Sequence, residues 1–332
     1  MKSLGRIGRR RESSIVNTKF PKVYAAKHTD EEIRAASRSG GVFTALSDYV
    51  LFNGGVVYGC ALTDDFNAVH IRADNKSERN RMRGSKYIQS DLGDTFKYVK
   101  NDLERGRKVL FSGTSCQVAG LKNFLGEEYG NLLCVDIVCH GVPSKKVWNK
   151  YLRWQEQRLH SKLIAVDFRN KKDFGWRDHI ETLYFENGES VSARIFTTLF
   201  YRHEVLRPSC YECPYKLVMH PGDITIADYW GIEKSAPELD DNKGVSLVLV
   251  NNEVGEEFLK CVKNMLFLKQ TSIENAMQRS FIQSESRPET RDRFWRDFQR
   301  KSFSYIVRKY GGQLPFWRKI FAKIISFTRR ME

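Results

Sequence analysis

No apolar run in the 332 residues approaches the roughly 20 needed to cross a bilayer as a helix, which excludes a transmembrane-helix protein. Basic residues cluster at the start (Lys2, Arg6, Arg9, Arg10, Arg11), but no apolar segment follows them, so a secretory signal is not indicated. No G-x-G-x-x-G follows a strand-like run, and a Rossmann nicotinamide site therefore has no support. The seven cysteines do not read as a secreted disulfide framework, because two lie in apolar, strand-like runs. They fit a reducing cytoplasm and a metal or cluster site, and a cytoplasmic location is expected.

What is present is a globular composition, 41% hydrophobic, with a formal charge of +15. That charge predicts an anionic partner. No nucleic-acid-binding motif accompanies it, so nucleic acid is not expected.

The chain is organised around Arg207-Pro-Ser-Cys-Tyr-Glu-Cys-Pro-Tyr-Lys216, followed by Gly222-Asp-Ile-Thr-Ile-Ala-Asp-Tyr-Trp-Gly231. Cys210 and Cys213 form a C-x-x-C pair whose thiolates can converge on one metal or one cluster edge. The plain alternative is a turn with two incidental thiols. A closed site needs two more ligands. Cys116 ends an apolar run that passes through Gly113 and hydroxyl residues into a helix-like stretch. Cys139 follows the run 132–138 and precedes Gly141 and Pro143. Both sit at predicted carboxyl ends of strands, where sites form in open α/β sheets. Cys60, Cys134 and Cys261 read as core packing. His140, beside Cys139, is either structural in its loop or a proton relay.

Residues 29–36 predict a helix, broken by Ser39-Gly-Gly41, and 42–51 predict a second. A helix start after small residues suits a phosphate, although Ser-Gly-Gly is also common punctuation. Arg81, Arg83 and Lys86 surround Gly84; they suit a pyrophosphate, or form an ordinary basic loop. His70 is expected to be a packed or surface residue. Strand-like and helix-like segments then alternate through residue 138, which argues for a parallel sheet. Residues 164–168, 180–185 and 191–194 alternate in period two, with a hairpin turn at Glu186-Asn-Gly-Glu189. Trp176 lies in a loop whose aromatics either cover a ring or pack. Trp230 follows the strand at 224–227. The fold class is therefore α/β: a mostly parallel sheet core, an antiparallel β insert and a C-terminal basic helical extension.

These pieces resemble the coenzyme F-420 hydrogenase/dehydrogenase beta-subunit family. The matching segments are Ser39-Gly-Gly-Val-Phe43, Arg83-Gly-Ser-Lys-Tyr-Ile-Gln-Ser90, Gly113-Thr-Ser-Cys-Gln117, Cys139-His-Gly-Val-Pro-Ser144, Arg207-Pro-Ser-Cys-Tyr-Glu-Cys213 and Gly222-Asp-Ile-Thr-Ile-Ala-Asp228. They occur in family order between about residues 22 and 252. The resemblance implies a flavin-dependent iron-sulfur oxidoreductase subunit with FAD and one [4Fe-4S] cluster. The implied cluster ligands are Cys116, Cys139, Cys210 and Cys213. The flavin-side candidates are Ser39, Gly40, Gly41, Arg83, Ser85 and Lys86. The implied organisation is a basic tail (1–21), an N-terminal flavin-side domain (22–105), a C-terminal cluster-binding domain (106–270) and a basic amphipathic helical extension (271–332). One departure is Ser115, where relatives usually carry Pro.

Many relatives carry a ferredoxin module before this point, and no cysteine precedes Cys60 here, so electrons are expected from a ferredoxin or another electron-transfer subunit. The extension, with Phe316, Trp317 and Ile320 at helical spacing, either touches a membrane surface or packs on the core. No catalytic acid or base stands out, and the substrate is not named by the sequence. A different class competes: a non-catalytic binding protein stapled by zinc on the same four cysteines.

Overall fold

The computed structural model describes residues 19–312. The strands are β1 (Lys22–His28), β2 (Val56–Leu62), β3 (Ala68–Ala73), β4 (Val109–Thr114), β5 (Leu132–Ile137), β6 (Leu163–Asp167), β7 (Glu181–Phe185), β8 (Ser190–Ala193), β9 (Ile224–Asp228), β10 (Ser246–Val250) and β11 (Leu266–Thr271). The longer helices are α1 (Val42–Phe52), α2 (Thr95–Glu104), α3 (Ser115–Leu125), α4 (Lys145–Leu159), α5 (Ile195–Tyr201), α6 (Glu253–Cys261), α7 (Arg291–Arg300) and α8 (Phe303–Tyr310).

Eight strands form one sheet in the order β11-β1-β10-β9-β5-β4-β2-β3. Only its centre is parallel: β2 pairs with β4, β4 with β5 and β5 with β9 in parallel. The flanking pairs are antiparallel, including β1 between β10 and β11. The expected mostly parallel sheet is thus corrected to a mixed one. The cause is tertiary: β1 returns to the far side of the sheet and pairs with strands more than 200 residues away. All five residues of β10 are buried, and such a continuous apolar run suits an interior strand. Strands from residues 22–105 and from 106–270 share this sheet.

β6, β7 and β8 form the expected antiparallel insert. Its hairpin closes with Phe185 N–H donating to Glu189 O at 3.0 Å and Gly188 N–H to Phe185 O at 3.0 Å. The insert, α4, α5 and the C-terminal helices share one core containing Trp148, Tyr151, Phe196 and Phe294.

From residue 271 the chain is not continuously helical: a four-residue helix and a single 3-10 turn precede α7. α7 and α8 then bury Phe294, Phe298, Phe303, Ile306, Val307 and Tyr310. Each such side chain contributes about 1.5–3 kcal/mol. This part of the basic extension therefore packs on the protein's own core. Arg293, Arg296 and Arg300 stay exposed on the outer face of α7. The apolar repeat at Phe316, Trp317 and Ile320, and the basic tail from Lys2 to Arg11, lie outside the described residues.

Candidate functional site

The carboxyl ends of β4, β5 and β9 open into a cleft of about 770 Å³. The start of α1 and the segment 82–90 also line it. Six cations and two carboxylates line it: Arg38, Arg83, Lys86, Arg169, Arg207 and Arg279 against Asp228 and Glu285. That balance suits an anionic ligand.

Cys116 stands in the first turn of α3, directly after β4. Gln117 Oε1 accepts from the Thr114 N–H at 2.9 Å, which fixes the helix start. Thr114 Oγ1 lies 3.1 Å from Cys116 Sγ. Cys139 follows β5 and shares the cleft wall with Cys116. The buried Lys216 ammonium donates to the backbone carbonyls of Cys139 and His140, tying the C-x-x-C loop to this strand end. Ser284 Oγ donates to Cys213 O at 3.2 Å.

The Cys139 and Cys210 thiols are each raised in part by other thiols of the predicted set. Burial pushes Cys139 up to about 12, and the Cys210 and Cys116 thiols add to the rise while Lys216 opposes it. Burial also raises Cys210, with Cys213 and Cys116 contributing. Among the described residues, one group of three or more His, Cys, Asp or Glu brings its ligand atoms within 4.8 Å of one another, and it is His140, His203 and Glu285. No three of the thiols are that close. A tetrahedral zinc on 2.3 Å bonds would place them about 3.8 Å apart.

The flavin-side candidates divide into two kinds. Ser39 Oγ donates to Val245 O at 2.8 Å, and Gly40 N–H donates to Ser246 Oγ at 2.9 Å. A Cβ on Gly40 would meet Ala26 O at 2.1 Å, so only glycine lets this loop lie on the sheet. Ser39 and Gly40 thus seat the loop. Gly41, at φ 91°, turns the chain into α1. The N–H groups of Gly41, Val42 and Phe43 make no hydrogen bond among the described residues, and these three residues line the cleft. Arg83 and Ser85 line the same cleft. Among the described residues, the buried Nε atoms of Arg83 and Arg38 have no hydrogen-bond partner. Lys86 differs: its ammonium donates to the carbonyls of Arg81, Arg83 and Gly84, and burial pulls it down to about 8. It clamps its own loop.

One cysteine expected in the core is elsewhere. Cys60 packs against the hydrophobic core from β2 as expected, and it also lines the cleft, where burial raises its thiol. Cys261 is exposed at the last residue of α6, where the next residue, Val262, turns inward instead. Cys134 is buried as expected. His70 is packed, stacking on Phe111 with ring centroids 5.4 Å apart. Trp176 is also packed, stacked on Trp230 at 5.0 Å.

Sequence reasoning missed Arg38, Arg169, His203 and Glu285. Arg169 Nη1 donates to Asp228 Oδ2 at 2.7 Å, Trp176 Nε1 donates to Asp228 Oδ1 at 2.7 Å, and Arg38 Nε stands 4.0 Å from Asp228 Oδ2. His140 Nε2 lies 2.9 Å from His203 Nε2. Burial pulls His140 down to about 3, aided by His203, Lys216 and Arg279, so it is neutral.

Two family models match the chain, both describing the beta subunit of coenzyme F420 hydrogenase/dehydrogenase. The model of its N-terminal part matches residues 23–97, and the model of its C-terminal part matches residues 106–276. No match is found among curated proteins. Among solved structures, a chain of the F420-reducing [NiFe] hydrogenase complex from Methanosarcina barkeri is similar, at a TM-score of 0.52 and 19% identity. The match covers 76% of this chain and 82% of that one. At this identity the likeness is one of fold. No helix among the described residues is long and apolar enough to cross a membrane. With two models spanning most of residues 23–276 in order, the chain belongs to the coenzyme F420 hydrogenase/dehydrogenase beta-subunit family.

Proposed function

We propose that this protein is an oxidoreductase subunit that moves electrons between a [4Fe-4S] cluster on Cys116, Cys139, Cys210 and Cys213 and an FAD in the cleft. The observation that carries it is the shared cleft: Cys116 and Cys139 line it together with the first residues of α1 and with Arg83, whose buried Nε has no partner among the described residues. Bound together, a flavin exchanges electrons in pairs with a hydride and a cluster exchanges them singly.

The chain's own groups have separable parts. The start of α1 and Arg83 hold the anionic pyrophosphate, since amide N–H groups, the helix dipole and a guanidinium all favour negative charge. Ser39, Gly40, Ser85 and Lys86 shape the two loops that carry those groups. Trp230, stacked on Trp176, shields the end of β9. Anaerobically purified protein should be brown-yellow and carry about four iron atoms per chain with extractable FAD. Colourless protein containing zinc would overturn the reading.

The flavin site has a clean charge test. Any side chain at residue 41 is strained at φ 91°, and its Cβ would approach the His28 Cβ at 3.0 Å. Asparagine tolerates this region and matches aspartate in size. Gly41→Asp should therefore bind FAD at least about tenfold more weakly than Gly41→Asn, since one misplaced charge easily costs more than about 1.4 kcal/mol in a half-buried site. Equal affinities, measured by flavin fluorescence titration, would move the phosphate elsewhere.

Electrons arrive from a ferredoxin or a partner subunit. The exposed stripe Arg293, Arg296 and Arg300 offers an acidic donor a docking face. Reduction by an acidic ferredoxin should slow as salt rises, because the screening length falls from about 10 Å at 0.1 M to about 3 Å at 1 M. A stopped-flow rate indifferent to salt would remove this role.

A further inference from the structure

The cleft wall carries a second set of ligating side chains that neither the thiols nor the flavin contacts use. His140 follows Cys139, His203 lies just beyond α5, and Glu285 comes from the loop before α7. Each offers one ligand atom, and these atoms lie within 4.8 Å of one another.

Three observations set this group apart from ordinary packing. First, Glu285 is only 2% exposed, and burying a carboxylate is costly unless it is paired or coordinates a metal. Its nearest cation is Arg279, at 3.2 Å, whose own side chain is 61% exposed. Second, His140 Nδ1 is 3.5 Å from Glu285 Oε1, and His203 Nδ1 is 3.7 Å from Glu285 Oε2. Both exceed hydrogen-bond length. Both are close to the edge of a tetrahedron with 2.0–2.1 Å bonds, about 3.3 Å. Third, His203 is held at φ 67°, in the left-handed region that a residue with a Cβ rarely occupies. The Tyr211 hydroxyl donates to its carbonyl at 2.6 Å and keeps it there. Such strain collects at ligand sites.

We propose that His140, His203 and Glu285 bind one divalent first-row transition ion, with its remaining positions open to the cleft. Two imidazoles and one carboxylate form a ligand set that zinc and ferrous iron both accept. The ion takes over from Arg279 as the counter-charge of Glu285. Facing the cleft, it offers a coordination position to a small molecule bearing a carbonyl or hydroxyl oxygen. This proposal does not depend on the cluster or the flavin.

Zinc is the probe. Anaerobically purified, cluster-loaded protein is incubated with a slight excess of Zn²⁺ and desalted; zinc and iron per chain are then counted, and the zinc K-edge is recorded. One retained zinc with nitrogen and oxygen neighbours only, at unchanged iron, is expected. His203→Ala and Glu285→Gln should weaken retention by more than about tenfold, and Arg279→Met should strengthen it. No retained zinc, or equal retention in all variants, would overturn the site. So would a sulfur shell, which would place zinc on the cysteines; if iron were displaced with it, the cluster reading would fail separately. Should a variant not fold, the ligand shell of the unaltered protein decides alone.

Discussion

Cys210→Ser is expected to strip the protein of its iron, from about four atoms per chain to nearly none, and to bleach its visible absorption. The thiol is half-buried beside Cys213 and Cys116, in a loop that Lys216 ties to the end of β5. A serine oxygen is a harder, far less acidic donor than a thiolate, so the corner it leaves is open to water. Because metal binding and folding are coupled, the thermal midpoint should fall as well. Cys139→Ser should behave alike. Its thiol is pushed up to about 12 by burial, so at neutral pH it holds its proton until a metal displaces it. Assembly then releases a proton, and loading should weaken as the pH falls. Cys261→Ser, on the exposed end of α6, should keep the full iron content. Cys60→Ser should keep it too, although that thiol faces the cleft. Equal iron loss across both groups, by elemental analysis, would show that the ligands are wrongly assigned.

The sequence made the strand ends legible because each combines an apolar run with an abrupt change to Gly, Pro or hydroxyl residues. Cys116 and Cys139 stand at such changes, and both line the cleft. The break at Ser39-Gly-Gly41 was legible for the same reason, but the division of labour within it was not. Gly40 is required by the approach of Ala26 O and Ser246, on two strands that only the folded sheet brings together. Lys86 looked like a phosphate ligand because its charge is visible in the sequence, whereas the three carbonyls that capture it are not. The place of β1 between β10 and β11 is likewise a long-range choice that local periodicity does not encode. Cys261 shows the other limit. Helical spacing predicts a buried face only while the helix continues, and α6 ends at that residue.

Ser115 has a local role that the resemblance did not indicate. Its Oγ lies 3.1 Å from His220 Nδ1, which is itself 2.9 Å from the buried Asp136 Oδ2. Thr225 Oγ1 donates to the other carboxylate oxygen at 2.6 Å. A proline could not make the first contact. The residue before Cys116 is thus fixed by a polar chain reaching β9, where a pyrrolidine would fix it by its own stiffness.

Asp228→Ala is expected to cost about 3–5 kcal/mol of folding stability, the usual loss when one member of a buried ion pair is removed. Asp228 ends β9 at the floor of the cleft, and its two oxygens accept from Arg169 and Trp176 at 2.7 Å each. Arg169 is 5% exposed at its side chain and Arg38 is 11% exposed. Both guanidiniums also donate to Trp176 O, at 3.0 and 2.6 Å, so neither can swing into water without unseating the loop that carries Trp176. Alanine would leave two trapped cations facing one another with no carboxylate between them. Asp228→Asn keeps the shape and an acceptor for one donor, so it should cost less than alanine. Urea unfolding of the flavin-free protein measures both. The ordering alanine below asparagine below the unaltered protein is expected. Equal midpoints for all three would mean that the arginines are neutralised from the cleft side, and the structural role of Asp228 would fall.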